Sequence, residues 1–116
     1  IDLISTQDKS SIKLKTYRYQ AQNTKGVVIF FHSMCYHMGI AGNLSKNLAD
    51  NGFTVVGFDQ RGHGKSEGER GYIDDRKAVL NDCNNFIGSI FKAYPNTPVF
   101  LMGHGLGALL SIVCNQ

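Results

Sequence analysis

Five residues near the end of the chain, Gly103-His104-Gly105-Leu106-Gly107, have the glycine spacing of a turn that presents a nucleophile. They follow a short apolar run and precede an apolar helical pattern, so the turn joins a strand to a helix. In such a turn, written G-x-S-x-G, the flanking glycines let the strand and the helix pass closely. The central residue has a strained backbone and is the serine that attacks in acyl transfer. Here the central residue is Gly105, which adopts positive φ without steric cost but offers no oxygen for attack.

Two other apolar runs also end in distinctive loops. One continues into His32-Ser33-Met34-Cys35-Tyr36-His37, and the other into the glycine-rich segment 59–68. The glycines of the second loop could indicate a phosphate cradle, but no G-K-[ST] follows a strand in the required form. In open α/β sheets the chemistry lies at the carboxyl ends of the strands. The three loops therefore mark one edge of a sheet as the candidate site.

The elements that must position these loops follow from the apolar pattern. Continuous apolar runs at 26–31, 53–58 and 98–102 predict buried strands, and the near-alternation over 11–20 predicts an edge strand with one face in water. Helical spacing occurs at 43–51, from Asp74-Asp75 to Tyr94, and from Gly107 to Cys114. This order predicts an α/β fold, with a mostly parallel central sheet, right-handed crossovers and helices on both faces.

Together the loops resemble those of a known family. The segment beginning at Asp59 is similar to D-x-R-G-x-G-x-S-x-G, and the segment beginning at His32 is similar to H-G-x-G-E-H. Both motifs, with the turn around Gly105, resemble the monoacylglycerol lipase and lysophospholipase branch of the α/β-hydrolase superfamily, which is close to the serine aminopeptidases of the S33 type. The resemblance implies an α/β-hydrolase fold, of which residues 1–116 form the N-terminal half of one domain, truncated after the helix that follows the nucleophile elbow.

The resemblance also implies roles for individual residues. Backbone N–H groups of Met34 and Leu106 would form the oxyanion hole, which stabilises the charge that develops on an attacked carbonyl. His104 would pack beneath the elbow, and the loop after the second apolar strand would tie strand ends together. The implied site residues are Gly105 at the nucleophile position, Met34 and Leu106 in the oxyanion hole, Gly103, His104 and Gly107 in the elbow, and Asp59, Arg61, Gly62, Gly64 and Ser66 in the structural loop.

Several features depart from the family pattern. Ser33, Cys35 and Tyr36 stand where the family has Gly, Gly and Glu, so we expect a reshaped oxyanion loop. In hydrolases of this fold the acid and the histidine of the triad follow the nucleophile along the chain. Residues 106–116 contain no Asp, Glu or His. The chain as it stands is therefore predicted to be inactive, although its parent family hydrolyses carboxylic esters.

For the other nucleophiles and bases of the chain, structural roles are favoured. Cys35 lies near the site and a thiolate is a capable nucleophile, but the sequence gives it no partnered base, which favours a packed or pocket-lining thiol. For His32 and His37 a structural or pocket-lining role is favoured over base chemistry, and for His63 a hydrogen bond within its own loop. The histidines and the three cysteines, Cys35, Cys83 and Cys114, lack metal-ligand spacing, so no metal and no cofactor are expected.

Composition narrows the class of protein further. The 116 residues carry a scattered net charge of +3, which gives nucleic-acid binding little support. No apolar stretch approaches a membrane span, and the cysteines are interpreted as reduced thiols. We therefore expect an intracellular protein, either cytoplasmic or peripheral to membranes.

Three functional hypotheses remain open on the sequence alone. The first is a serine esterase acting on lipid-like esters, in which Gly105 replaces the nucleophile. The second is a natural pseudoenzyme that serves as a binding or structural subunit. The third is a half-domain that completes its sheet with another chain. In all three, the remainder of the fold or a partner chain is expected to cover an open sheet edge.

Overall fold

The residues that the structure describes form a five-stranded mixed sheet with helices on both faces. The computed structural model describes residues 3–5, 12–71 and 76–114. The strands are β1 (Leu3–Ser5), β2 (Lys13–Tyr19), β3 (Gly26–Phe31), β4 (Phe53–Phe58) and β5 (Val99–Gly103). The helices are α1 (Gly42–Asp50), α2 (Arg76–Ala93) and α3 (Leu106–Cys114), and a 3₁₀ turn, Met38–Ala41, precedes α1.

The strands occur in the order β1-β2-β4-β3-β5 across the sheet. Strand β3 is parallel to both of its neighbours: Gly26 pairs with Phe53 of β4, and Val27 with Val99 of β5. Strands β1 and β2 are antiparallel to their neighbours. Because β3, β4 and β5 run in the same direction, the loops that follow them converge on one edge of the sheet, as predicted.

Each face of the sheet has its own apolar core. Helices α2 and α3 cover one face and the 3₁₀ turn with α1 covers the other, which confirms the prediction of helices on both sides. The larger core contains Leu14, Val27, Ile29, Phe31, Val56, Phe58, Val79, Cys83, Phe86, Ile90 and Leu110. The smaller one contains Val28, Phe30, Met38, Ala41 and Val55. Residues alternate between the two cores along β3, which is why its apolar run is continuous.

Two predictions about strands were wrong in part. The alternating strand β2 is not an edge strand, because Leu3 of β1 pairs with Lys15 on its outer side. A strand of three residues is too short to leave a readable pattern in the sequence. Strand β5 was predicted to be buried, but it is the last strand of the described sheet and Phe100 is 51% exposed. The predicted helix start at Asp74-Asp75 lies outside the described residues.

Candidate active site

The turn between β5 and α3 is built on two glycines that leave no room for a side chain. A Cβ atom at Gly103 would overlap the carbonyl group of Gly107, and one at Gly107 would overlap the carbonyl oxygen of Phe31. The first turn of α3 therefore lies directly against the ends of β5 and β3. This is the close approach of strand and helix for which the G-x-x-x-G spacing is suited.

Gly105 lies at the apex of this turn, with φ +59° and an exposed position. A Cβ atom built there would overlap the Ser33 hydroxyl and lie 2.9 Å from Ser33 Cβ. The same hydroxyl accepts a hydrogen bond from the backbone N–H of Leu106, at 3.3 Å. The loop after β3 thus reaches the apex of the turn and occupies the space beside it.

The loop after β3 places a cysteine in a backbone conformation that glycine favours. Tyr36 N–H donates to the Ser33 carbonyl at 3.1 Å, which closes a tight turn. Cys35 has φ +65° and is the one non-glycine residue at positive φ in the described part of the chain. That conformation is the one that type II turns require at their third position and that glycine favours. Met34 is 39% exposed, and none of the described residues accepts a hydrogen bond from its N–H group.

His32 is held in one neutral tautomer by the chain around it. Its ring is fully buried; Nε2 accepts from the backbone N–H of Gln60 at 2.9 Å, so Nδ1 carries the proton and donates to the Ser33 carbonyl at 2.7 Å. Burial lowers the pKa of His32 because the charged imidazolium is poorly solvated there. A buried neutral ring with both nitrogens engaged is a structural element and not a free base.

The carboxylate of Asp59 joins three segments beneath the site. Oδ2 accepts from the Tyr17 hydroxyl at 2.8 Å and from Lys65 N–H at 2.9 Å, and Oδ1 accepts from Met38 N–H at 2.8 Å. A Cβ atom at Gly64 would overlap this carboxylate, so the loop closes over it only because glycine stands there. Burial, followed by the hydrogen bond to Asp59, raises the pKa of Tyr17 to about 12.

The rest of the 59–68 loop is fastened to the strands and to α2. Ser66 Oγ accepts from Lys15 N–H at 2.8 Å and donates to the Asp59 carbonyl. Arg61 donates from Nε and Nη2 to the carboxylate of Asp82 on α2, at 2.8 and 2.9 Å. Gly62 has φ +76°. These contacts agree with a loop that ties strand ends together.

Comparisons with known proteins match this geometry. The profile of the family described as Serine aminopeptidase, S33, matches residues 22–115, which cover all three loops. The chain belongs to the serine aminopeptidase S33 family. The monoglyceride lipase homolog of Monkeypox virus is 37% identical over 89 residues, 77% of this chain and 32% of its relative. The Rattus norvegicus monoglyceride lipase is 34% identical over 89 residues, 77% of this chain and 29% of its relative.

A solved structure shows the same fold. The soluble variant of monoglyceride lipase from Saccharomyces cerevisiae superimposes with a TM-score of 0.76 at 26% identity, over 89% of this chain and 34% of that one. The predicted α/β-hydrolase fold is confirmed. The chain spans about a third of the length of the relatives that it matches.

Within this member of the serine aminopeptidase family, the remaining histidines have local partners. His63 Nδ1 bonds to the Arg61 carbonyl at 3.0 Å, which confirms the predicted bond within its own loop. His37 is exposed, and its Nδ1 accepts from Gly39 N–H at 3.0 Å and caps the 3₁₀ turn. The expectation that His104 packs beneath the turn was wrong. His104 is exposed because its ring lies against the exposed Tyr36 of the loop after β3, edge-on and with centroids 5.7 Å apart.

Sequence reasoning missed three residues that support the site. Tyr17, Gln60 and Asp82 contact Asp59, His32 and Arg61, respectively. Gln60 also donates from its side chain to the His32 carbonyl at 2.7 Å. The partners Tyr17 and Asp82 come from separate elements, and no spacing in the sequence points to them. A run of polar residues straight after a buried strand was the one available signal for Gln60.

The site holds main-chain donors and small polar groups at the carboxyl edge of the sheet. Such groups can orient a carbonyl and stabilise negative charge on its oxygen. Over residues 3–5, 12–71 and 76–114, no three His, Cys, Asp or Glu side chains come together in a way that could hold a metal ion. None of the described helices is long and apolar enough to cross a membrane.

Proposed function

We propose that the protein binds lipid-like carboxylic esters of the monoacylglycerol type at this site without hydrolysing them through a serine nucleophile. The observation that carries the proposal is Gly105, which stands at the apex of the strand-to-helix turn in a left-handed backbone conformation. Acylation by this family's chemistry needs a side-chain oxygen at that apex, and glycine has none.

The substrate class rests on similarity to relatives that are named monoglyceride lipases. Within the chain, the support is the convergence of the three loops and the placement of Leu106 N–H at the start of α3, where helix N-termini favour negative charge. Met34 N–H is proposed as a donor to the carbonyl oxygen of the ester. The roles of Gly103, His104 and Gly107 as a nucleophile elbow belong to the same proposal.

The alternative is an active serine esterase whose natural form has a catalytic serine at position 105, where this sequence has glycine. The specific observation that favours it is the retained packing of the turn, since Gly103 and Gly107 still meet the geometric demand of a nucleophile-bearing turn. The two proposals differ in the residue encoded at position 105 and in reactivity toward serine-directed probes.

The test uses the protein at its natural length. A fluorophosphonate probe is applied, hydrolysis of 1-monooleoylglycerol is followed, and binding of the same lipid is measured by calorimetry, with rat monoglyceride lipase as the labelled and active control. Binding without labelling or hydrolysis supports the proposal. Probe labelling with release of oleate would overturn it in favour of the esterase, and absence of lipid binding would overturn the substrate class.

The outer edge of β5 and the adjoining face of α3 are proposed to be covered by further polypeptide. Phe100, Leu109 and Ile112 are 51%, 55% and 62% exposed. Val99, Leu101 and Ser111 join Phe100 and Ile112 around an open cavity of about 370 Å³ between β5 and α3. Exposed apolar strand edges associate with other chains. Size-exclusion chromatography of residues 1–116 alone is expected to show self-association that Phe100→Lys and Ile112→Lys reduce, and a monomer without these changes would contradict the proposal.

An intracellular location, cytoplasmic or at a membrane surface, is also part of the proposal. Fractionation of cells that express the natural protein tests it directly, and recovery from the culture medium would contradict it.

A further inference from the structure

The Ser33 hydroxyl lies where a side chain at position 105 and the carbonyl oxygen of a bound ester would otherwise lie. This oxygen occupies the volume that the first side-chain atom of residue 105 would need. It is also the acceptor for Leu106 N–H, at 3.3 Å, which is the donor that an ester carbonyl would use in the proposed site. One hydroxyl therefore stands in for a side chain and for a ligand oxygen at the same time.

The overlap is not relieved by rotating the hydroxyl alone. Rotation of Ser33 about χ1 moves Oγ but leaves Cβ in place, 2.9 Å from a Cβ at position 105. Carbon atoms that are not bonded pack at about 3.5 to 4.0 Å. A side chain at 105 therefore requires the backbone at Ser33 to move as well, unless residue 33 is replaced by glycine. Residues 33 and 105 are mutually dependent, although 72 positions separate them in the sequence.

We propose that Ser33 is a specificity-determining residue of this site: its hydroxyl accepts from Leu106 N–H in place of an ester carbonyl, so this donor adds nothing to the preference of the wild type for an ester over an ether of the same lipid. This inference rests on the proposed function, because it concerns how that site discriminates between lipid ligands. Removal of the hydroxyl frees the Leu106 donor, and an ester then gains a hydrogen bond to its carbonyl oxygen, an atom that the ether lacks.

The binding test compares 1-monooleoylglycerol with 1-monooleylglycerol ether in the protein at its natural length. The wild type gives the reference ratio of the two dissociation constants. In Ser33→Ala the preference for the ester over the ether is expected to exceed that of the wild type about tenfold, which corresponds to about 1.4 kcal/mol. Ser89→Ala is the matched control, since its hydroxyl bonds to Phe86 on α2, away from this loop. A ratio in Ser33→Ala equal to that of the wild type, or an equal change in Ser89→Ala, would overturn the proposal.

A second test needs no ligand and separates failure of this inference from failure of the proposed function. Unfolding equilibria are measured for the wild type, Ser33→Gly, Gly105→Ala and the double variant. The backbone strain of alanine at 105 is common to both backgrounds and cancels in the cycle. We expect Gly105→Ala to raise the unfolding constant at least tenfold more in the wild-type background than in the Ser33→Gly background. Additive effects would show that the two positions are independent and would overturn the pairing.

Amide exchange covers the case in which Gly105→Ala does not fold. Ser33→Ala removes the acceptor of Leu106 N–H, so exchange of that amide is expected to accelerate about tenfold, while amides in the middle of β3 keep their rates. An unchanged Leu106 rate would show that the hydroxyl does not hold this donor. If neither lipid binds but the cycle and the exchange rates behave as expected, the substrate class is wrong and the Ser33 pairing stands.

Discussion

Arg61 and Asp82 form a buried two-point ion pair that fastens the loop after β4 to helix α2. Nε and Nη2 of the guanidinium reach Oδ2 and Oδ1 of the carboxylate at 2.8 and 2.9 Å. The exposed fractions of the two side chains are 11% and 4%. Planar, two-point geometry of this kind makes arginine difficult to replace. The pair gives the loop a fixed anchor on α2, in addition to the one that Asp59 provides.

Asp82→Asn is expected to lower the free energy of unfolding by about 3 kcal/mol, because the buried two-point pair with Arg61 loses its negative charge. Urea denaturation checks the value. Asp50→Asn is the control, since Asp50 is exposed at the end of α1 and a change there is expected to cost no more than about 0.5 kcal/mol. Equal losses in the two variants would show that the Arg61 pair does not contribute specifically.

The Tyr17 hydroxyl makes the free energy of unfolding depend on pH in the alkaline range. Burial and the bond to Asp59 raise the pKa of Tyr17 to about 12, against about 10 in an unfolded chain. A pKa that is higher in the folded state adds stability below the unfolded value and loses it as the pH rises through the folded value. Wild-type stability is therefore expected to fall between about pH 10 and 12 more steeply than that of Tyr17→Phe.

Spectrophotometric titration gives an independent measurement of the same group. One tyrosine of the folded wild type is expected to ionise near pH 12, and this step should disappear in Tyr17→Phe. At neutral pH the variant is expected to lose about 1 kcal/mol through the missing hydrogen bond. Persistence of the late step in the variant would assign it to another tyrosine.

The sequence was most informative where one local pattern decides the structure. Strands β3 and β4 have the predicted bounds, because a continuous apolar run with covered faces on both sides has few other solutions. Strand β1 was missed because three residues are too few to show the two-residue hydrophobic alternation of a strand. The bonds from Tyr17 to Asp59 and from Arg61 to Asp82 join positions 42 and 21 residues apart, and only the fold brings them together.

The candidate site follows the same rule. The role of Gly103 and Gly107 was predicted from their spacing, because a strand and a helix that pass this closely leave no room for a larger residue. Ser33 was noted as a departure from a family glycine, but its position over Gly105 depends on how the ends of β3 and β5 are aligned. Orientation of a single hydroxyl across two loops has no signature in either loop alone.

Cys35 occupies a backbone conformation that suits glycine better. Its φ of +65° carries a steric cost for any side chain with a Cβ. Cys35→Gly is expected to stabilise the protein by about 0.5 to 1 kcal/mol, after the greater freedom of glycine in the unfolded chain is subtracted. The measurement is thermal or urea unfolding. Met34→Gly, one residue earlier at negative φ, is the control and is expected to destabilise; stabilisation by both changes would contradict the role of φ.

Cys114 is expected to be the thiol whose reactivity depends on a neighbour. Interaction with the thiol of buried Cys83 on α2 lowers the pKa of Cys114, on α3, to about 7 because it favours the Cys114 thiolate. The same interaction and burial raise the pKa of Cys83. Because the thiolate is the reactive form, alkylation of Cys114 by iodoacetamide should rise with pH around a midpoint of about 7.

Replacement of the donor separates this effect from simple exposure. Cys83→Ala removes the hydrogen bond, so the midpoint for Cys114 is expected to move up toward the ordinary thiol value of about 8.5. Cys83→Ser keeps a donor of similar size and is expected to hold the midpoint below that of the alanine variant. Peptide mapping by mass spectrometry follows Cys114 apart from the exposed Cys35. The same midpoint in all three proteins would show that the Cys83 thiol does not control the reactivity of Cys114.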